Sequence, residues 1–419
     1  MKKVLFVIPS MSGGGAERVV QILANFMSKS GMDVHILMLS SGEVFYPLVN
    51  VSVHRCSMLS ASEMNAVVQE YGIDVVWDHY HWEFEHVIEL SRLKDVTTAK
   101  VILTEHSSYF YPLYQYLNFN IKSALKMFSN REGIYSKFDL ITSLTKYSSE
   151  LFQVNVPNVA LLPNPVSYST NAVSELKRNA IISVSGFSKK AKRVDRLYQI
   201  MGEATKTNGT LTLDFLGDYK LDVAKELAAR YQVPENAVNL CGKISNVSDY
   251  YVKASVFVLS SDIEGFPMVL LEAAMHGLPS VVYAYNGIED LVVDGVTGFI
   301  IPSGNAELFA HKLNLLLGDY ELRYKMGKAA RQFVLDEFSE EIVCNKACAL
   351  MEKVAAGEVI PRVDVSKGVA KVHNEYMFWL ESIVASSSII SNLKRNVISF
   401  SKQGMVYKFA LAIKSFLSR

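Results

Sequence analysis

The sequence predicts an α/β protein of two doubly wound, Rossmann-like domains in tandem, facing across a cleft, with a helical C-terminal extension. Three observations carry this. Short runs rich in Val, Ile and Leu alternate with longer amphipathic stretches, as parallel strands covered on both faces by helices do. The alternation halts once, in the polar, turn-rich stretch "PNPVSYSTNAVSELKRN" (163–179), and then restarts. The chain has 419 residues, half of them hydrophobic and a fifth charged. That is enough for two sizeable cores and argues against global disorder.

The elements follow in order. "KVLFVIPS" reads as a strand, and "SGGGAERVVQILANFMSKSG" as a glycine loop, a helix and a stop at Gly31. "DVHILMLS", "VSVHRCS", "DVVWDHY", "KVILTEH", "LITSLT" and "VALLPNP" are further strands. After the pause come "AIISVSG", "LTLDFLG", "VNLCGK", "ASVFVLSS", "PSVVYAY" and "TGFIIP". Helical runs fill about 305–356, and "GEVIPRVDVSKG" reads as a second linker. The predicted division is 1–165 and 166–335 for the two domains, 336–360 for a helix packing back on the first, and 361–419 for a basic amphipathic tail.

Charge and cysteine content exclude several classes. Net charge is zero, so no overall field draws the chain to nucleic acid. The tail is different: from Ser366 onward eight basic residues face two acidic ones, interleaved with aromatic and aliphatic residues. Such a segment either lies on an anionic membrane surface or packs as a cap on the body or a partner. "YFYPLYQYLNFNIKSALKMF" (109–128) mixes aromatic and basic residues in the same way. It reads as an acceptor entrance, a membrane contact or core. Four cysteines fit reduced thiols in a cytoplasmic protein. "MKKVLFVIPS" has too short an apolar run for a signal peptide and leads into a glycine loop rather than a cleavage site. No apolar run reaches transmembrane length.

In open parallel sheets ligands bind beyond the carboxyl ends of the strands, and the chemistry-bearing motifs fall there. "SSDIEGFPMVLLEAAMHGLPSVV" (260–282) keeps Glu264 and Glu272 in a largely apolar segment. Pro267 suits the first position of a helix that runs to about His276 and stops at Gly277. Glu264 then sits on a loop and Glu272 on the second helical turn, along one wall. Each carboxylate can accept two hydroxyls. The helix start beside Gly265 and Phe266, opened by Pro267, offers N–H groups to an anion. "SGFSKKAKRVDRL" follows the first strand of the second domain and is rich in cations. "SMSGGGAER" lets backbone approach a ligand closely. It has Arg18 where a dinucleotide fingerprint needs glycine, which disfavours such a cofactor. His106 ends the strand "KVILTEH" and faces the predicted cleft. "WDHYHWE" holds Asp78, His79 and His81, an incomplete ligand set that favours cleft lining over metal.

Together with "DGVTGFIIP", "GGGAERVV", "TEHSS", "LLPNPV" and "KRVDRL", taken in order, these stretches resemble the family 4 retaining glycosyltransferases, which have the GT-B fold and an E-x7-E motif. The resemblance spans about 3–355. It implies that Glu272 holds the ribose of a donor nucleotide and that Glu264 faces the transferred sugar. It implies that Lys192 binds the diphosphate with Arg193 second, that Gly14 and Gly15 lie closest to the diphosphate, and that His106 contacts the donor sugar. It also implies no metal and no cofactor beyond the UDP- or GDP-sugar substrate. The chain departs from the family at Phe187, where an Arg is usual; Lys189, Lys190 or Arg193 would have to cover that charge. The expected activity is transfer of a hexose or N-acetylhexosamine to a hydroxyl of a growing, lipid-linked glycan. The alternatives are a sugar-nucleotide epimerase of the same fold and a non-catalytic partner subunit.

Overall fold

The computed structural model describes residues 2–39, 44–80, 84–112, 128, 130–167, 172–188, 190–361, 369–371 and 373–374. Among these residues the chain forms two wholly parallel sheets. The first contains β1 (Lys3–Val7), β2 (Asp33–Leu39), β3 (Val51–Cys56), β4 (Val75–Asp78), β5 (Lys100–Glu105), β6 (Leu140–Ser143) and β7 (Val159–Leu161), in the order β3-β2-β1-β4-β5-β6-β7. Its helices are α1 (Gly15–Lys29), α2 (Ala61–Tyr71), α3 (Phe84–Val96) and α4 (Lys146–Gln153). The second contains β8 (Ala180–Val184), β9 (Thr212–Leu216), β10 (Val238–Gly242), β11 (Val256–Leu259), β12 (Ser280–Tyr283) and β13 (Gly298–Ile301), in the order β10-β9-β8-β11-β12-β13. Its helices are α5 (Val194–Thr205), α6 (Leu221–Arg230), α7 (Ser248–Tyr251), α8 (Met268–Met275) and α9 (Ala306–Gly318). α10 (Tyr320–Phe338) and α11 (Glu340–Ala355) follow.

The strand compositions follow from burial. Val4, Leu5, Phe6 and Val7 of β1 are all wholly buried, so both faces of the strand are covered and no polar alternation is possible. Alternate residues feed separate layers. Leu5 and Val7 join one core, while Val4 and Phe6 join the other with α1.

Each sheet reverses direction of winding at one place, between β1 and β4 in the first and between β8 and β11 in the second. At such a point the loops leave in opposite directions and open a crevice at the strands' carboxyl ends. The segments after β1, β4, β8 and β11 are the ones that carry the candidate motifs.

The chain crosses between the domains near Val166 and again at Ser339, and the two crossings pair with each other. Val166 N–H donates to the Phe338 carbonyl at 2.8 Å, and Glu340 N–H donates to the Val166 carbonyl at 3.1 Å. Beyond the second crossing, α11 returns to the first domain. Val343, Cys344, Ala347, Met351 and Val354 enter its core beside α1. Burial of each of the Val and Met side chains is worth roughly 1.5–3 kcal/mol.

The stretch 163–179 is not a free linker in its described part. Ser174 N–H donates to the His276 carbonyl at 2.9 Å and its hydroxyl to the Ala254 carbonyl at 2.5 Å. Leu176 is buried, and its carbonyl accepts from Arg323 Nε at 2.9 Å. Its polar residues read as linker because they are polar, yet they serve as anchors to the second domain.

Most of the tail lies outside the described residues, as does nearly all of 109–128. His373 does not. Its Nδ1 lies 2.8 Å from the Tyr109 hydroxyl and its Nε2 lies 2.7 Å from Asn155 Nδ2. Both neighbours also donate to Glu132, so the chain beyond the second linker touches the first domain here. Among the described residues no helix is long and apolar enough to cross a membrane.

Candidate active site

The second domain's wall is built by two loops stitched together. After β8 the chain makes a short 3₁₀ turn over Lys190–Lys192; after β11 it runs through Ser260 to Pro267. Asp262 N–H donates to the Ala191 carbonyl at 2.8 Å, and the Ser260 hydroxyl donates to the Lys192 carbonyl at 2.9 Å. This fixes Lys192 against Glu264: Nζ donates to Oε1 at 2.7 Å, and the Ser261 hydroxyl reaches the same oxygen at 2.5 Å. Sequence reasoning gave these two residues neighbouring jobs, and the structure brings them into contact.

Glu272 lies one helix away. α8 is apolar on all sides and therefore buried, with Leu270, Leu271, Ala273, Ala274 and Met275 in the core. Glu272 is the one charged residue of this helix and is only partly exposed. Burial raises its pKa; the Tyr251 hydroxyl at 3.3 Å and the Arg18 charge of the opposite domain pull it back. Pro267 is the residue before the helix, not its first turn. The one-residue shift is physically cheap, since proline has no N–H to place at either position. Phe266 is a core anchor, 5.5 Å edge-on from Phe338, so its ring takes no part in the wall.

Arg193, expected second at the phosphate, is held by two carboxylates of its own domain. Its φ of 48° is left-handed, which turns the side chain back onto its own helix start. Its fork meets Asp195 at 2.9 and 2.7 Å, and Asp262 at 2.9 Å. Hydrogen bonding to Asp195 leads the effects that raise its pKa. Its charge is already balanced inside the protein, so it clamps the loop.

Phe187 points into the core, edge-on to Phe215 at 5.3 Å and to Tyr198 at 6.5 Å. The surrounding loop is closed by Asp218. Ser188 N–H donates to its carboxylate at 3.0 Å, and a Cβ on Gly186 would sit 2.1 Å from Oδ1. A carboxylate thus accepts the amide that an anion-binding loop would offer to phosphate. Lys190 is exposed and Lys189 lies outside the described residues.

The first domain supplies the facing wall. His106 Nε2 and His79 Nδ1 lie 2.9 Å apart, so the two rings share one proton between them. His79 is wholly enclosed by Phe6, Trp77 and His106. Burial first, and His106 second, hold its pKa well below the ordinary imidazole value. Asp78 is buried and bonded to His86 at 2.7 Å rather than lining the cleft. His81 lies outside the described residues. Among the described residues no three His, Cys, Asp or Glu side chains converge as a metal site. At Gly14 a Cβ would lie 2.1 Å from Glu17 Oε2, so the Glu17 carboxylate packs against this glycine. Gly15 faces the other domain, with Met268 Cγ 3.8 Å from its Cβ position.

The walls meet at several places among the described residues. Besides Gly15 and Met268, Gly265 presses on the His106 backbone, its Cβ position 1.9 Å from the carbonyl oxygen. On the far side, Asp290 accepts from Lys146 N–H at 2.6 Å and caps the start of α4 from the other domain. Sequence reasoning missed these contacts, the His79–His106 pair and the Asp290 cap, because each joins residues far apart in the chain. The β4 and β5 register, which sets Asp78 against Leu103, is the one signal from which the His pairing follows.

A titration isolates His79. A depressed folded pKa makes its stability contribution complete above the unfolded value of about 6.5 and lost as pH falls through the folded value. Glu105, Glu272 and Asp290 have raised folded pKa values, so their contributions have the opposite sign. The difference between wild type and His79→Gln cancels them. The stability advantage of wild type over this variant is expected to shrink by about 1 kcal/mol from pH 6.5 to 5.5, read by urea unfolding. A constant difference would mean that His79 charges in the folded protein.

Two doubly wound domains with a lysine, two carboxylates and a histidine pair facing across their switch points define a GT-B enzyme. Residues 13–169 match Glycosyltransferase Family 4, and residues 169–333 match Glycosyl transferases group 1. The chain belongs to this family of retaining glycosyltransferases. An "Uncharacterized glycosyltransferase" of Haemophilus influenzae is 26% identical over 361 residues, covering 82% of this chain and 98% of the relative. A Campylobacter jejuni protein is 26% identical over 372 residues, covering 81% and 97%; it is named GalNAc-alpha-(1->4)-GalNAc-alpha-(1->3)-diNAcBac-PP-undecaprenol alpha-1,4-N-acetyl-D-galactosaminyltransferase. Anabaena Alr3699/HepE, solved in complex with UDP and glucose, shares the fold with a TM-score of 0.68 at 16% identity, covering 84% of this chain and all of that one.

Proposed function

We propose that the chain moves a hexose or N-acetylhexosamine from a UDP- or GDP-sugar to a hydroxyl of a lipid-linked surface glycan. The observation that carries this reading is the contact between Lys192 and Glu264, 2.7 Å apart at the β8–β11 switch point. The bond to be broken joins a sugar carbon to a phosphate oxygen. A site for that reaction needs a sugar-facing acceptor beside a phosphate-facing cation. Glu272, farther along the same wall, takes the ribose hydroxyls. The likeness to a UDP-bound fold and to a transferase named for a PP-undecaprenol-linked glycan supports both ends of the reaction.

In this reading the acceptor oxygen bonds to the anomeric carbon as the carbon–phosphate oxygen bond breaks. The acceptor attacks from the face the nucleotide leaves, and the departing phosphate takes the proton. Lys192 stabilises the charge that develops there, and Glu264 orients the sugar. Domain closure excludes water and aligns the reactants. A lipid-linked acceptor would put the enzyme at the cytoplasmic face of a membrane, with the basic tail against anionic lipid.

A thermal-unfolding screen of UDP- and GDP-sugars tests the donor. A ligand that binds only the folded state at about 100 times its dissociation constant stabilises by about 2.7 kcal/mol. One donor is expected to raise Tm in wild type and to do so far less in Glu272→Ala. No shift with any donor would remove the reading. Conversion of the donor sugar without acceptor would make the chain an epimerase.

A further inference from the structure

The diphosphate is the part of such a donor that the second domain holds least well. Phe187 offers no charge, Asp218 takes the loop amide, and Arg193 is bound to two aspartates. Among the described residues of the loop that leaves Lys192, itself shared with Glu264, and the exposed Lys190, a point charge without the fork of an arginine. Yet a nucleoside diphosphate carries charge that usually needs more than one cation.

Arg18 lies on the opposite wall, in the first turns of α1. Nη1 donates to Gln21 Oε1 at 2.9 Å, and the guanidinium lies over the Tyr46 ring at 5.0 Å. Both partners are neutral, and among the described residues Arg18 forms no ion pair. It is also held ready: Gln21 is tied to the Pro47 carbonyl at 3.2 Å. A guanidinium has five donors in a fixed fork. One is used here.

The helix faces show where it points. Gly15 touches Met268 across the cleft. Arg18 stands three residues after Gly15, and Glu272 four after Met268, so each shares a helix face with the contact residue beside it. Side chains on a helix lean towards its N-terminus, which brings the Arg18 head back to the cleft. The opposing charges also sense each other, since Arg18 is among the influences lowering the Glu272 pKa.

We propose that Arg18 is a phosphate-binding residue of the donor site, reaching across the cleft to supply the cation that Phe187 does not. The proposal rests on the reading of the donor as a nucleoside diphosphate sugar. It makes diphosphate binding span both domains, so the donor itself would draw the walls together.

The test is calorimetric titration of the full chain with UDP and GDP, and with uridine and guanosine. Wild type is expected to bind one of the diphosphates. Arg18→Gln is expected to lose about 10-fold or more in affinity for it, the size of one charged hydrogen bond, while nucleoside affinity stays within about 2-fold. Arg18→Lys keeps the charge without the fork and should fall between them. It also decides the matter if Arg18→Gln no longer unfolds cooperatively. Equal diphosphate affinity in wild type and the variants would overturn the role of Arg18 and leave the donor reading intact. A parallel loss for nucleoside and diphosphate would also overturn it, because Arg18 would then only support the Tyr46 loop. A wild type that binds neither diphosphate would remove the donor reading and this inference with it.

Discussion

Lys192→Ala is expected to lower kcat by about 10²- to 10³-fold, the range for losing one fixed group that stabilises developing charge. The reason lies in the geometry around Nζ. The ammonium is anchored on one side by Glu264 at 2.7 Å. In the proposed reaction its two remaining protons are the ones available to the leaving phosphate as that group gains charge. Anchoring means that little reorganisation is needed during the reaction, and this separates a catalytic cation from a merely attractive one. The loss should therefore appear in kcat more than in donor affinity. Arg18→Gln should show the reverse weighting if its main contact is already present in the ground state. The measurement is steady-state kinetics with the donor found by thermal screening. A Lys192→Ala enzyme within a few-fold of wild type would move the phosphate site elsewhere on the wall. Removing Lys192 also leaves Glu264 with only Ser261 as partner, so cooperative unfolding of the variant must be checked alongside.

The sequence carried the architecture because each strand is short, apolar and punctuated. β1 and β11 could be read directly, since burial on both faces leaves no room for polar alternation. Glu264 and Glu272 stood out because a carboxylate in an apolar segment has to have a partner, and each has one, Lys192 at 2.7 Å and the Tyr251 hydroxyl at 3.3 Å. What was not legible depended on pairing across the chain. Arg193 looked available for phosphate, but its partners are two and sixty-nine residues away, and its left-handed backbone is invisible in a string of letters. Gly14 looked like a glycine that lets a ligand approach, and the Glu17 carboxylate packed against it could not be seen in the string of letters. The partner of His106, His79, stands twenty-seven residues earlier and becomes a neighbour only once β4 and β5 are paired. The departure at Phe187 was visible at once. Its resolution was not, because Arg18, the cation proposed to make up the charge, is on the other domain.

Gly265→Ala is expected to lower kcat/KM by about 10²-fold, the scale set by a misplacement of about 1 Å in a closed site. The added Cβ would lie 1.9 Å from the His106 carbonyl oxygen, 2.9 Å from its carbon and 3.2 Å from Ser107 Cα. All three are backbone atoms, so no side-chain rotation relieves the overlap. Gly265 and His106 belong to different domains, however. The domains are joined by the paired crossings at Val166 and Ser339. The least costly relief is therefore a slight opening at the cleft, with both cores left as they are. That opening would carry His106 away from the Glu264–Lys192 pair and strain the smaller contact between Gly15 and Met268. The expected signature is a large loss of activity with nearly unchanged Tm; nucleoside binding to the second domain through Glu272 changes little, while diphosphate affinity falls as Arg18 is drawn away. Small-angle scattering would read the opening directly. An alanine variant with wild-type kcat/KM would mean that catalysis proceeds without the contact between Gly265 and His106.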